Sequence, residues 1–275
     1  MWLIRWMMYA GFAAIVCVVG GAFAIYWHFA PGLPDHKQLI NYQTPTTTRL
    51  YTADGKLLAE YAREKRVFVP VVAMPRRLVQ AFVAAEDQRF FRHWGVDPIG
   101  ITRSFYVRLR TGQWSQGGST ITQQLARNVF LTNTRTFGRK AREAILAMAL
   151  EWRYSKEEIL ELYLNRVYFG GGAYGIDAAA RRFFGHSATE MSIEEAAIIA
   201  GLVQSPSNYS PTADEEAARG RAGVVLAAMR EQEMITGAQA SAAAVNVREI
   251  PFYEPPAPRT TTRYFTDWIL PQLDT

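Results

Sequence analysis

Hydrophobic positions are unevenly spread along this chain. From Trp6 to Trp27 they form one run of 22 residues without a charge. At a helical rise of ~1.5 Å per residue the run reaches roughly 33 Å, enough for a bilayer hydrocarbon core of about 30 Å. Trp6 and the Tyr26–Trp27 pair stand at its two ends, where membrane interfaces favour aromatic rings. Arg5 precedes the run, which predicts a short cytoplasmic N-terminus and an external remainder. That orientation rests on one charge, because the outer flank, Asp35-His36-Lys37, is nearly neutral. A cleaved signal peptide is the alternative. Its apolar core spans about 7–15 residues and ends in a small-x-small site. The present run is longer and no such site stands out after Phe29, which favours a retained anchor. Cys17, mid-span, reads as lipid-facing filler.

The pattern then changes twice. Pro31-Gly-Leu-Pro34 breaks the helix and begins a connector. Thr46–Tyr51 and Lys56–Tyr61 are β-prone and flank Asp54-Gly55, a hairpin turn signal. Beyond Pro75 the periodicity is helical almost to Asn246. Three capping-box spacings open apolar runs: Thr120 with Gln123, Ser155 with Glu158, and Ser192 with Glu195. Pro75 fits a first helical position. Four prolines between Ile250 and Pro258 read as a linker, and an aromatic-apolar pattern resumes over Arg263–Leu270. The predicted organisation is a stub and anchor over 1–34, a connector with a β-hairpin over 35–70, a mainly α domain over 71–247, and a linker and tail over 248–275. No internal repeat is visible.

Several polar residues interrupt these helical faces in ways that suggest chemistry. Val79, Val83 and Glu86 are spaced by four and three, so Glu86 lies on an apolar stripe with Phe82. Partial desolvation there raises a carboxyl pKa, which suits proton transfer; a helix end whose Glu pairs with a nearby Arg is the plainer reading. Gly117-Gly118-Ser119-Thr120 leads into a capped helix bearing Gln123, Gln124, Arg127 and Asn128. Free N–H groups at such a helix start favour an anion, while a plain capped helix explains the same residues. Arg139 and Glu143 share one face with Ala147 and Leu150, either as a site wall or as a surface i,i+4 pair. Glu161-Leu-Tyr-Leu-Asn165 runs into the loop Gly170-Gly-Gly-Ala-Tyr174-Gly175. This is no P-loop, since no Gly-Lys-Ser/Thr follows, and a helix C-cap with close packing accounts for the glycines. Ile101, Phe105 and Leu109 are four apart, with Arg103, Arg108, Arg110 and Trp114 around them. That is the make-up of an interfacial amphipathic stretch or of a core helix edge.

Composition narrows the classes. Apolar residues are 49% and charged residues 20% of the 275, so the chain supports a packed core. One cysteine excludes an intrachain disulfide and any multi-cysteine metal site. Four histidines without ligand spacing argue against a His-based zinc site. Thirty Lys and Arg against 25 Asp and Glu give +5, a mild excess that suits an anionic partner. The excess is too small, and the anchor places the domain on the wrong side, for nucleic-acid binding.

In order and spacing these segments resemble the five motifs of the family 51 peptidoglycan glycosyltransferases, the polymerising domains of class A penicillin-binding proteins and of monofunctional transglycosylases. Residues 86–95 match Glu-Asp-x-x-Phe-x-x-His-x-Gly. Residues 117–128 match Gly-x-Ser-Thr-Ile-Thr-Gln-Gln with its later basic residue and Asn. Residues 139–143 match Arg-Lys-x-x-Glu, residues 161–176 the Glu-Leu-Tyr-x-Asn segment with its glycine loop, and residues 200–206 Ala-Gly-Leu-x-Gln-x-Pro. The likeness covers roughly 40–270.

The resemblance implies a mainly α, lysozyme-like glycosyltransferase domain with a membrane-embedded jaw near 100–116, contacted through Phe105, Leu109 and Trp114. It implies periplasmic polymerisation of lipid II into β-1,4 glycan, with undecaprenyl pyrophosphate leaving. Glu86 matches the general base, Glu143 the second glutamate, and Asp87 a supporting residue. Ser119, Thr120, Gln123, Gln124, Arg127, Asn128, Arg139 and Lys140 match the donor and pyrophosphate contacts. Some members use Mg²⁺ or Mn²⁺, yet no dedicated metal cage is visible and no cofactor is demanded. Implied partners are lipid II, the growing lipid-linked glycan, the bilayer, a transpeptidase, and divisome or elongasome proteins. The family's transpeptidase signatures, Ser-x-x-Lys and Lys-Thr-Gly, are not found, so the chain reads either as a natural short form or as the N-terminal part of a bifunctional protein. A lysozyme-like lytic enzyme and an inactive membrane-anchored scaffold are the competing functions. Retention of both glutamates argues against the scaffold.

Overall fold

A computed structural model describes residues 2–29, 48–51, 57–61, 67–112, 118–131, 134 and 136–254. In chain order its elements are α1 (Trp2–Phe29), β1 (Thr48–Tyr51), β2 (Leu57–Tyr61), α2 (Arg76–Glu86), α3 (Pro98–Thr111), α4 (Ile121–Phe130), α5 (Phe137–Arg153), α6 (Lys156–Leu164), α7 (Ile176–Phe183), α8 (Ile193–Leu202), α9 (Pro206–Tyr209), α10 (Glu215–Glu231) and α11 (Gly237–Glu249). They group into two units. The first draws on Met1–Asn41 and Phe91–Ile159, the second on Tyr42–Phe90 and Leu160–Thr275.

In the first unit α4 packs on α5. Gly95 explains part of this unit's tightness. Its φ is 77°, and a Cβ there would lie 2.6 Å from the Ala147 carbonyl carbon of α5, so no other residue lets that backbone approach. On α3 only Ser104 is buried, while Ile99, Ile101, Phe105, Tyr106 and Leu109 are exposed. Trp114 and the Asp54-Gly55 turn lie outside the described residues. Among the described residues no helix is long and apolar enough to cross a membrane. Within the 28-residue α1 the side chains of Leu3, Ala14, Ile15, Val18, Ala22, Ile25 and Phe29 fall outside that description. The membrane span therefore rests on the sequence of α1.

The second unit is built around α8. That helix is apolar almost all round, and Ala196 through Leu202 are buried, as expected of a helix enclosed on every side. α2, α10 and α11 pack on it. Fully buried Phe82 of α2 meets Tyr163 edge-on at 6.4 Å and Phe169 at 5.8 Å between ring centroids. These contacts fix the helix that ends at Glu86. β1 and β2 pair antiparallel, with Thr48 opposite Tyr61.

Local signals set most helix starts. Capping boxes close α4 at Thr120 and Gln123 and α8 at Ser192 and Glu195, and Ser155 and Glu158 exchange the same two bonds before α6. A fourth box, Thr236 with Gln239, opens α11; its alanine-rich helix shows too little periodicity to be singled out from sequence. Pro75 stands at the N-cap of α2, one position earlier than expected. The glycine loop is not a helix C-cap, because α6 ends at Leu164. Close packing is the reason instead: Gly170 has φ 89°, and a Cβ would come 2.3 Å from the Pro206 carbonyl oxygen.

Asp177 secures the start of α7. Its fully buried carboxylate accepts from Ser187 Oγ at 2.7 Å, the Ala188 N–H at 3.0 Å and Arg181 Nε at 2.7 Å. Burial alone would raise its pKa, but the bonds from Ser187, Arg181 and Ala188 outweigh burial and hold it below 3.8. A lowered carboxyl pKa stabilises the fold above the unfolded value and loses that contribution as pH falls through the folded one. Asp177→Ala is expected to cost about 2–4 kcal/mol at pH 7, because the buried Ala188 N–H and the half-buried Ser187 hydroxyl lose their acceptor while half-exposed Arg181 can rehydrate. Urea unfolding checks this, and the gap between the two proteins should narrow as pH drops below 3.8.

Candidate active site

In the second unit, α2 delivers Glu86 as its last residue, half-buried, with Phe82 and Val83 of the same stripe buried. The helix stops there because Asp87 leaves helical geometry. Its N–H donates to the Val83 carbonyl at 3.1 Å, its carbonyl accepts from the Phe90 N–H at 3.0 Å, and it is 6% exposed. α2 is held from outside. Gln232 Nε2 donates to the Ala84 carbonyl at 3.2 Å, and Arg77 donates to the Met234 carbonyl. Glu161 and Asn165, to which helical spacing gives no role, strap the approach to α2. Asn165 exchanges two bonds of 2.8 Å with the Val69 backbone, and Glu161 Oε2 accepts from the Val71 N–H at 2.8 Å.

In the first unit, Ser119, Arg139, Lys140 and Glu143 come together. Glu143 is 1% exposed. Arg139 donates to its Oε1, and Lys140 Nζ donates to its Oε2 at 2.9 Å. Lys140 also donates to Ser119 Oγ at 2.7 Å, a contact across 21 residues that no helical spacing foretells. The i,i+4 pair of Arg139 and Glu143 is thus buried at its acidic end rather than a surface pair. Two cations around one carboxylate leave the cluster with a net positive charge, and 44% of the Lys140 side chain remains exposed. Such a cluster can hold an anion against solvent-facing nitrogen while the carboxylate fixes the nitrogens in place.

α4 sorts the remaining candidates. Thr120 accepts from the Gln123 N–H at 3.1 Å and donates its proton to the Gly95 carbonyl at 2.5 Å, while Gln123 Oε1 accepts from the Thr120 N–H at 3.1 Å. Both residues are 2% exposed. They build the helix start, and these bonds engage the Thr120 hydroxyl and Gln123 Oε1 there. Gln124 is buried, Arg127 half-buried and Asn128 exposed, so the polar face emerges along the helix. Among the described residues no group of three or more His, Cys, Asp or Glu could hold a metal ion. The single carboxylate of the cluster is engaged by Arg139 and Lys140.

A family model described as Transglycosylase matches residues 54–230. Penicillin-binding protein 1A of Escherichia coli is 42% identical over 238 residues, which are 86% of this chain and 28% of that protein. Penicillin-binding protein 1A of Vibrio cholerae is 41% identical over 233 residues, 84% of this chain and 28% of that protein. The crystal structure of penicillin-binding protein 1A from Haemophilus influenzae aligns with a TM-score of 0.52 and 26% identity, over 84% of this chain and 24% of that one. The chain spans roughly a quarter of the length of these relatives.

Proposed function

Because the chain belongs to the transglycosylase family, we propose that it is a peptidoglycan glycosyltransferase that polymerises lipid II into β-1,4 glycan strands. The observation that carries this reading is the buried Glu143 flanked by Arg139, Lys140 and Ser119. A pyrophosphate leaving group needs positive charge rather than a strong general acid, and this cluster supplies it.

In the proposed step, Glu86 takes the proton from the 4-hydroxyl of the acceptor sugar. The freed oxygen attacks the donor anomeric carbon, and the bond to the lipid pyrophosphate breaks with inversion. Arg139 and Lys140 offset the charge that grows on the departing pyrophosphate, and Glu143 holds both cations in register. Arg127 adds to that offset, and Ser119, Gln124 and Asn128 contact the donor. Asp87 supports Glu86.

The charge-free run Trp6–Trp27 within α1 anchors the chain in the inner membrane, with the N-terminus cytoplasmic and the catalytic domain periplasmic. The exposed apolar side of α3, with Phe105 and Leu109, rests on the same bilayer. The growing lipid-linked glycan is both product and next donor. A transpeptidase and divisome or elongasome proteins are the proposed partners.

Offered labelled lipid II and purified sacculi in parallel, the detergent-solubilised protein is expected to consume lipid II and to release no soluble muropeptides. Muropeptide release without polymer would establish the lytic function instead. Neither activity from folded protein would favour the scaffold.

A further inference from the structure

Two charges of the first unit stand at unfavourable ends of their helices. Glu151 lies in the last turn of α5, and Lys156 is the first residue of α6. A carboxylate at a helix C-terminus and an ammonium at an N-terminus both oppose the helix dipole. Breaks of a local rule concentrate where long-range packing or function decides the residue.

These two residues meet each other. Lys156 Nζ donates to Glu151 Oε1 at 2.7 Å, with side chains 19% and 5% exposed. The same carboxylate oxygen accepts the Thr122 hydroxyl at 2.6 Å, and the same ammonium donates to the His93 carbonyl at 2.8 Å. Thr122 and His93 are buried. Thr122 is the second residue of α4, and two residues before it Thr120 bonds the Gly95 carbonyl. A chain of part-buried hydrogen bonds through Glu151 and Lys156, together with the buried Thr120–Gly95 bond, therefore ties the first turn of α4 to segment 93–95 at two points. Ser119, the partner of Lys140, leads directly into that turn.

We infer that the Glu151–Lys156 pair is a positioning device for the donor end of the reaction. It touches no reacting atom. It sets the first turn of α4, and so holds Ser119 where Lys140 and Glu143 require it. A purely stabilising role is the weaker account, because desolvation of a buried ion pair offsets most of its Coulomb gain. The inference rests on the glycosyl-transfer reading above.

The test uses the full chain in detergent, with Glu151→Gln, Lys156→Met and the conservative Lys156→Arg. Initial rate and apparent KM for lipid II are measured well below the unfolding temperature, and amide hydrogen exchange is followed from Gln123 to Ala126. The expected result is a rate lower by roughly 10- to 100-fold at nearly constant KM in the first two variants, since small misplacements of a reacting group are costly. Exchange at those amides should quicken, and Lys156→Arg should recover most of the rate. Wild-type rates in Glu151→Gln and Lys156→Met, or losses that only follow the unfolded fraction with exchange unchanged, overturn the inference and leave the glycosyl-transfer reading standing. A wild-type protein that does not polymerise lipid II overturns that reading, and the positioning claim is then decided by exchange alone, unchanged exchange sinking it.

Discussion

Glu86→Gln is expected to lower the rate of lipid II polymerisation by roughly 10²–10⁴-fold, the range that a positioned general base contributes. The substitution keeps the size and the hydrogen-bonding reach of the side chain and removes its capacity to accept a proton. Stability should change far less. Glu86 is the last residue of α2 and only half-buried, so its charge faces the negative end of the helix dipole, an unfavourable interaction of about 0.3–1 kcal/mol that neutralisation removes. An inactive protein that is no less stable than the parent separates a catalytic carboxylate from a structural one. A Glu86→Gln protein that polymerises within about twofold of the parent, well inside the range above, ends the assignment.

Glu143→Gln is expected to lose both activity and stability. Its carboxylate is 1% exposed and holds two cations. Removing one partner of a buried pair typically costs about 3–5 kcal/mol. Here the cost should fall nearer about 2–3 kcal/mol, because Lys140 is 44% exposed and rehydrates readily. With their anchor gone, Arg139 and Lys140 are left repelling each other and lose the geometry that meets the leaving group. The rate should drop by about 10²–10³-fold, as when one preorganised charge-stabilising group is removed. Thermal unfolding and initial rates on the same sample check both halves. A stable, fully active Glu143→Gln protein would contradict the role given to the cluster.

The contrast between these two glutamates shows what spacing along a chain can and cannot reveal. Helical periodicity places Glu86 on an apolar stripe and puts Arg139 and Glu143 on one face, because both relations are local. It also reveals three capping boxes, each a bond between residues three apart. It does not show that the Thr120 hydroxyl also reaches the Gly95 carbonyl, 25 residues away in the chain. Nor does it show Lys140 on Ser119 or Lys156 on the His93 carbonyl, 21 and 63 residues apart. Glu151 and Lys156 did leave a trace in the sequence, as charges at the wrong helix ends, but only the folded chain shows that each answers the other. The glycine loop misleads for a similar reason. The loop sits beside a predicted helix end, yet Gly170 answers to Pro206 and Gly175 to the Asn165 backbone.

The most direct test of the central claim is to incubate the detergent-solubilised chain with labelled lipid II and resolve the products by size, with and without moenomycin and EDTA. Glycosyl transfer by this chain predicts a ladder of glycan polymers that moenomycin abolishes, with undecaprenyl pyrophosphate released at each addition. Intact lipid II, recovered from a sample whose melting transition shows it to be folded, would contradict it.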